Sequence, residues 1–81
     1  MNRLGMMILA ILRKNSALSP STAVSIYELK DYATLHYSLS TIYRTIQSLC
    51  EDGFINDGLK DSKANTFYIT EKGLQIIKEM N

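Results

Sequence analysis

Ser38-Leu-Ser-Thr-Ile-Tyr-Arg-Thr-Ile-Gln-Ser-Leu-Cys-Glu-Asp-Gly-Phe-Ile55 decides the reading of this chain. Leu39, Ile42, Ile46, Leu49 and Cys50 recur at the spacing of one helix face. Ser38 stands before them as an N-cap, Gly53 follows as a C-terminal stop, and Phe54-Ile55 opens a β-prone segment. The other face carries Ser40, Thr41, Arg44, Gln47 and Ser48, with no acid before Glu51. A solvated helix face usually mixes Glu and Lys. A face that approaches phosphates and base edges needs hydrogen-bond donors and no carboxylates. The stretch points to a helix built to meet nucleic acid.

Working outward, 81 residues with 46% hydrophobic content make one domain, residues 1–81, with a modest core. Cys50 is the only cysteine, so no disulfide forms within the chain and no multi-cysteine zinc site exists. That composition suits a reducing, cytoplasmic setting, and Cys50 itself reads as a core residue. Met6-Met-Ile-Leu-Ala-Ile-Leu12 is far shorter than the ~20 residues of a membrane span. Arg13-Lys14 follows it at once, and no cleavage site is evident, so it reads as a buried helix. Nine Lys/Arg against eight Asp/Glu give a net charge of only +1. Charge placement, not charge excess, carries the nucleic-acid argument.

The first helix is predicted over about Arg3–Lys14, with Leu4, Met7, Ile8, Ile11 and Leu12 on its buried face and Met6, Leu9 and Ala10 elsewhere. Asn15 is the expected left-handed stop. Ser16–Ser21 is a polar connection, and Thr22-Ala-Val24 leaves room for a very short strand. Ser25-Ile-Tyr-Glu28 matches a capping box, opening a second helix over about Ile26–Ala33 with Ile26, Leu29, Tyr32 and Ala33 inward. Thr34–Tyr37 turns into the third helix. Phe54–Asp57 and Thr66–Thr70 read as the strands of a hairpin with a long polar tip, Gly58–Asn65. Thr70 caps a final helix, Glu71–Met80, whose apolar residues are Leu74, Ile76, Ile77 and Met80, and Gly73 permits close packing.

That order of elements, with Ile26-Tyr-Glu-Leu29, Ser38-Leu-Ser-Thr-Ile-Tyr-Arg44, Leu49-Cys-Glu-Asp-Gly-Phe-Ile55 and Tyr68-Ile-Thr-Glu-Lys-Gly73, resembles a winged helix-turn-helix domain of the PadR-like group of bacterial transcription regulators. The resemblance covers nearly the whole chain. It implies an α+β fold: a three-helix core, a two-stranded wing hairpin with a short third strand, and a C-terminal helix. It also implies that the third helix, about 39–52, lies in the major groove of double-stranded DNA. The wing, about 58–65, would touch backbone or minor groove. Many members of that group continue into further dimerisation helices, and the wing here is only modestly basic, Lys60 and Lys63 being offset by Asp57 and Asp61.

Arg44 has the chemistry for a bidentate guanine contact or a phosphate clamp. Ser38 is a helix cap whose neighbouring amides are also able to meet a phosphate. Ser40 and Thr41, in the first turn, serve equally as plain polar residues or as contacts to phosphates and bases. Gln47 and Ser48 complete the polar face. Tyr43 borders the apolar stripe and either packs or donates to a phosphate. Lys60, Lys63 and Asn65 fit a wing beside a phosphate backbone and also fit a soluble loop. His36 reads as a surface turn residue, with no second histidine or cysteine cluster for a metal. No catalytic set and no cofactor motif is present. The first and last helices carry more apolar surface than one small core needs. Met6, Leu9, Ala10, Leu74, Ile77 and Met80 are therefore the expected homodimer interface. The leading reading is a DNA-binding transcription regulator, a repressor acting by occupancy, with any effector unidentified. The alternative is a winged-helix protein-interaction module that does not bind DNA.

Overall fold

Leu4, Ile8 and Leu12 fall four residues apart, and helix α1 (Arg3–Lys14) buries all three together with Gly5 and Leu9. The computed structural model describes residues 2–33, 37–59 and 64–80, the side chains of Tyr32, Ala33 and Met80 apart. Asn2 caps α1 by accepting from the Gly5 amide at 2.8 Å. Helix α1 is the centre of the fold and packs against α2 (Ile26–Ala33), α3 (Leu39–Glu51), α4 (Glu71–Met80) and the sheet. Contact on several sides explains a correction to the expected face. Leu9 is wholly buried, whereas Met7 and Ile11 are half-buried at the core margin.

Helix α1 ends at Lys14 as expected, but its left-handed stop falls one residue later than the sequence suggests. Asn15 keeps a negative φ, and Ser16 takes the left-handed conformation at φ 55°. The Ala17 amide bonds the Leu12 carbonyl at 2.9 Å and the Ser16 amide bonds that of Arg13 at 3.1 Å, which is a Schellman turn with serine at its glycine position. Residues Pro20–Thr22 then form a short 3-10 turn where Thr22 was expected to begin a strand. Its conformation follows from Pro20 at the first helical position and from Ser19 and Thr22 capping each other.

The strand instead occupies Val24–Ser25 (β1). It pairs antiparallel with β3 (Thr66–Ile69), Val24 opposite Phe67 and Ser25 opposite Thr66. Strand β2 (Ile55–Asp57) lies antiparallel on the other side of β3, with Ile55 opposite Ile69 and Asp57 opposite Phe67. The sheet order is β1-β3-β2, so the hairpin carries a third strand. Ser25 is at once the last strand residue and the cap of α2, its hydroxyl accepting from the Glu28 amide at 3.2 Å. The core joins Leu4, Ile8, Leu9 and Leu12 of α1 to Ile26, Leu29, Ile42, Ile46, Leu49, Ile55, Phe67, Ile69 and Ile77.

Two glycines are structural requirements. Gly53 follows α3 at φ 81°, with the Phe54 amide on the Leu49 carbonyl and its own amide on Cys50, both at 3.0 Å. Gly73 lies so close to β2 that an added Cβ would sit 2.3 Å from the Phe54 carbonyl oxygen.

Ser16 has no glycine freedom, and the left-handed state costs an ordinary residue roughly 1–2 kcal/mol. Part of that is offset by the greater unfolded-chain entropy of glycine. Ser16→Gly is therefore expected to stabilise the fold by about 0.5–1 kcal/mol in urea denaturation. A lowered midpoint would contradict this account of the α1 terminus.

Candidate nucleic-acid interface

Ile42, Ile46 and Leu49 seat α3 on the core, which turns Ser40, Thr41, Tyr43, Arg44, Gln47 and Ser48 to the surface. At its start the Ser38 hydroxyl accepts from the Thr41 amide at 3.2 Å and lies 3.0 Å from the Thr41 hydroxyl. These two side chains thus serve first as a cap. Thr45 is partly withdrawn, its hydroxyl donating to the Thr41 carbonyl at 3.0 Å. Tyr43 packs only in part, the residue being 40% exposed on the groove.

A groove of 520 Å³ runs along one side of α3. Leu39, Ser40, Tyr43, Arg44 and Gln47 form one wall, Ile26 and Tyr27 of α2 the second, and Ala64 and Asn65 of the wing the third. No carboxylate among the described residues lines it. On the other side of the helix, Thr41, Arg44, Thr45 and Ser48 meet Asn2 and Gly5 of α1 in a second depression, which Asp52 also borders. Arg44 stands on the ridge between the two and reaches both. Acidity gathers at the far end, where Glu51 and Asp57 enter a cleft with Gln47, Cys50 and Asn65. Burial first, then the charges of Asp57 and Glu51, push the Cys50 thiol above its ordinary pKa. Cys50 is therefore a protonated, half-buried residue packed against the core and not an activated nucleophile.

The base of the wing is anchored to the α1–β1 connection. Gly58 donates to the Thr66 carbonyl at 2.9 Å, Leu59 donates to that of Pro20 at 3.1 Å, and the Thr66 hydroxyl bonds the Leu59 carbonyl. Asn65 is exposed on the groove, and its carbonyl accepts from the Ile26 amide at 3.2 Å. Lys60 and Lys63 lie outside the described residues, as does His36.

The ten residues expected to meet DNA thus divide clearly. Ser40, Tyr43, Arg44, Gln47 and Asn65 converge on one groove, and Thr41 and Ser48 lie across the ridge with Arg44. Ser38 sits exposed at the head of the helix. The expected dimer face does not hold together. Leu9 and Ile77 are buried in the protomer's own core, because α1 packs against α4. Met6 and Leu74 are half-buried, Ala10 is exposed, and the Met80 side chain lies outside the described residues. Tyr27, 59% exposed on the groove, went unnoticed in the sequence. Its signal was an aromatic on the side of α2 that the core does not require.

No established family profile matches the chain. It is 29% identical over 73 residues to the DNA-binding protein TubR of a Clostridium botulinum C phage, a match covering 90% of this chain and 88% of that protein. The structure of TubR from Bacillus megaterium pBM400 superposes with a TM-score of 0.86 at 25% identity, over 99% of this chain and 86% of that one. In fold and sequence the chain is similar to TubR. The solution structure of a DNA-binding TubR fragment from Clostridium botulinum agrees at a TM-score of 0.77 and 26% identity, over 100% of this chain and 98% of that fragment. The architecture is the α+β winged helix, and the likeness to TubR takes in α3, the sheet and both terminal helices.

Proposed function

We propose that this protein binds double-stranded DNA sequence-specifically, with α3 in the major groove and the wing, residues 58–65, on the backbone or in the minor groove. One observation carries the reading. The exposed face of α3 offers Ser40, Thr41, Arg44, Gln47 and Ser48 with no acid before Glu51, beside a groove with no carboxylate among its described lining, in a fold similar to DNA-binding TubR. Arg44 reads a base or clamps a phosphate from the ridge, Gln47 and Ser48 follow it along the helix, and Lys60, Lys63 and Asn65 bring the wing to the backbone. A protein that covers its site in this way regulates transcription by occupancy, as a repressor does. The likeness to TubR spans most of the chain and outweighs the short PadR-like motifs as a guide to relatives.

The near-neutral net charge favours the second reading, a docking module for another protein. Salt dependence separates the two. The logarithm of the affinity for a mixed-sequence duplex is expected to fall linearly with log salt, by a slope of about 0.9 for each phosphate neutralised. On a selected binding site, Arg44→Ala is expected to cost roughly 1–3 kcal/mol if Arg44 reads a base. No duplex binding at low salt would favour the docking module.

The protein acts in this reading as a cytoplasmic homodimer, since a two-fold pair presents recognition helices to half-sites about one DNA turn apart. No helix among the described residues is long and apolar enough to cross a membrane. With Leu9 and Ile77 in the core, Met6, Ala10 and Leu74 remain to form the dimer contact. Sedimentation at micromolar concentration is expected to show a species at twice the 9.2 kDa chain mass. A clean monomer would remove this part of the proposal.

A further inference from the structure

Helix α2 contributes one conspicuous surface side chain. Tyr27, its second residue, is 59% exposed. It stands on the groove wall facing Ser40, Tyr43 and Arg44, with Asn65 completing the lining. Among the described residues, every polar side chain there is a hydroxyl, a carboxamide or a guanidinium, all of which donate hydrogen bonds to anionic oxygen.

The start of a helix ordinarily offers backbone amides to a phosphate. Here two of them are committed, Ile26 to the Asn65 carbonyl at 3.2 Å and Glu28 to the Ser25 hydroxyl at 3.2 Å. That leaves Tyr27, with its own amide and its exposed phenol. The Ile26–Asn65 bond also ties the α2 wall to the wing wall.

Resting on the DNA-binding reading, we propose that Tyr27 is a DNA-positioning residue. Its hydroxyl donates to a phosphate of the strand lying in the groove between α2 and α3, and this sets the depth and angle at which α3 enters the major groove. The contact carries no sequence information. Being uncharged, it releases no counterion, so it adds affinity without adding salt dependence.

Fluorescence anisotropy with a labelled mixed-sequence duplex over a salt series tests this on the full chain, comparing wild type, Tyr27→Phe and Arg44→Gln. Tyr27→Phe keeps the ring and removes only the donor. It is expected to weaken binding by about 3- to 10-fold at every salt concentration, with the wild-type slope and an unchanged melting midpoint. Arg44→Gln is expected to flatten the slope by about one phosphate's worth. A merely structural role for Tyr27 would lower the midpoint or change the slope, and either result overturns the proposal. Wild-type affinity in Tyr27→Phe, with Arg44→Gln impaired, overturns it while leaving the DNA-binding reading intact. No binding by wild type overturns both.

Discussion

The end of α3 is tied to the start of α4 by a single knot of hydrogen bonds, and the placement of the polar face of α3 depends on it. The Thr70 hydroxyl donates to the Gly53 carbonyl at 2.6 Å and accepts from the Gly73 amide at 3.1 Å, while the Thr70 amide donates to Phe54 at 3.0 Å. One side chain therefore closes α3 and opens α4. Lys72 adds a 2.7 Å bond to the Asp52 carbonyl and places its ammonium 5.1 Å from the centre of the Phe54 ring. Gly53 provides the positive φ that lets the chain leave α3 toward β2, and Gly73 the close approach that lets α4 pack there. With its C-terminus held in this way and Ile42, Ile46 and Leu49 in the core, α3 has one orientation, and its polar face has one direction.

That direction gives a nearly neutral protein a usable surface. Around α3 the described carboxylates stand at its C-terminal end and the base of the wing, at Glu51, Asp52 and Asp57, while the N-terminal half of the helix and the described lining of the groove beside it have none. Local potential then differs from what a net charge of +1 suggests. Burial keeps the Cys50 thiol protonated, and its place at the acidic end adds to that.

Much of this was legible in the sequence because local signals agreed with tertiary demands. The bounds of α1, α2 and α4, the Gly53 stop and the Thr70 cap follow from periodicity and capping chemistry, and the structure keeps them. Misreadings arose where neighbours decided the outcome. Leu9 looked peripheral on a helical projection, but α1 is covered on several sides. The same crowding takes Ile77 into the core and removes two of the residues expected to face a partner. Ser16, not Asn15, turned left-handed because the Schellman bonds fix which residue occupies that position. Strand β1 moved to Val24–Ser25 because Ser19 and Pro20 wind the preceding residues into a turn and β3 supplies the partner. On the interface, the face of α3 was visible from its residue types alone. Tyr27 was not, because its role depends on α2 lying across a groove from α3, a relation between elements far apart in sequence.

The central claim is that the surface built from α3, the start of α2 and the wing is where DNA lies. Amide chemical shifts of the isotope-labelled protein during titration with a duplex test it most directly. The account predicts changes concentrated over Ser38–Ser48, Ile26–Tyr27 and Ala64–Asn65, with α4 and the exposed side of α1 little affected. Changes centred on α1 and α4, with α3 unmoved, would contradict it.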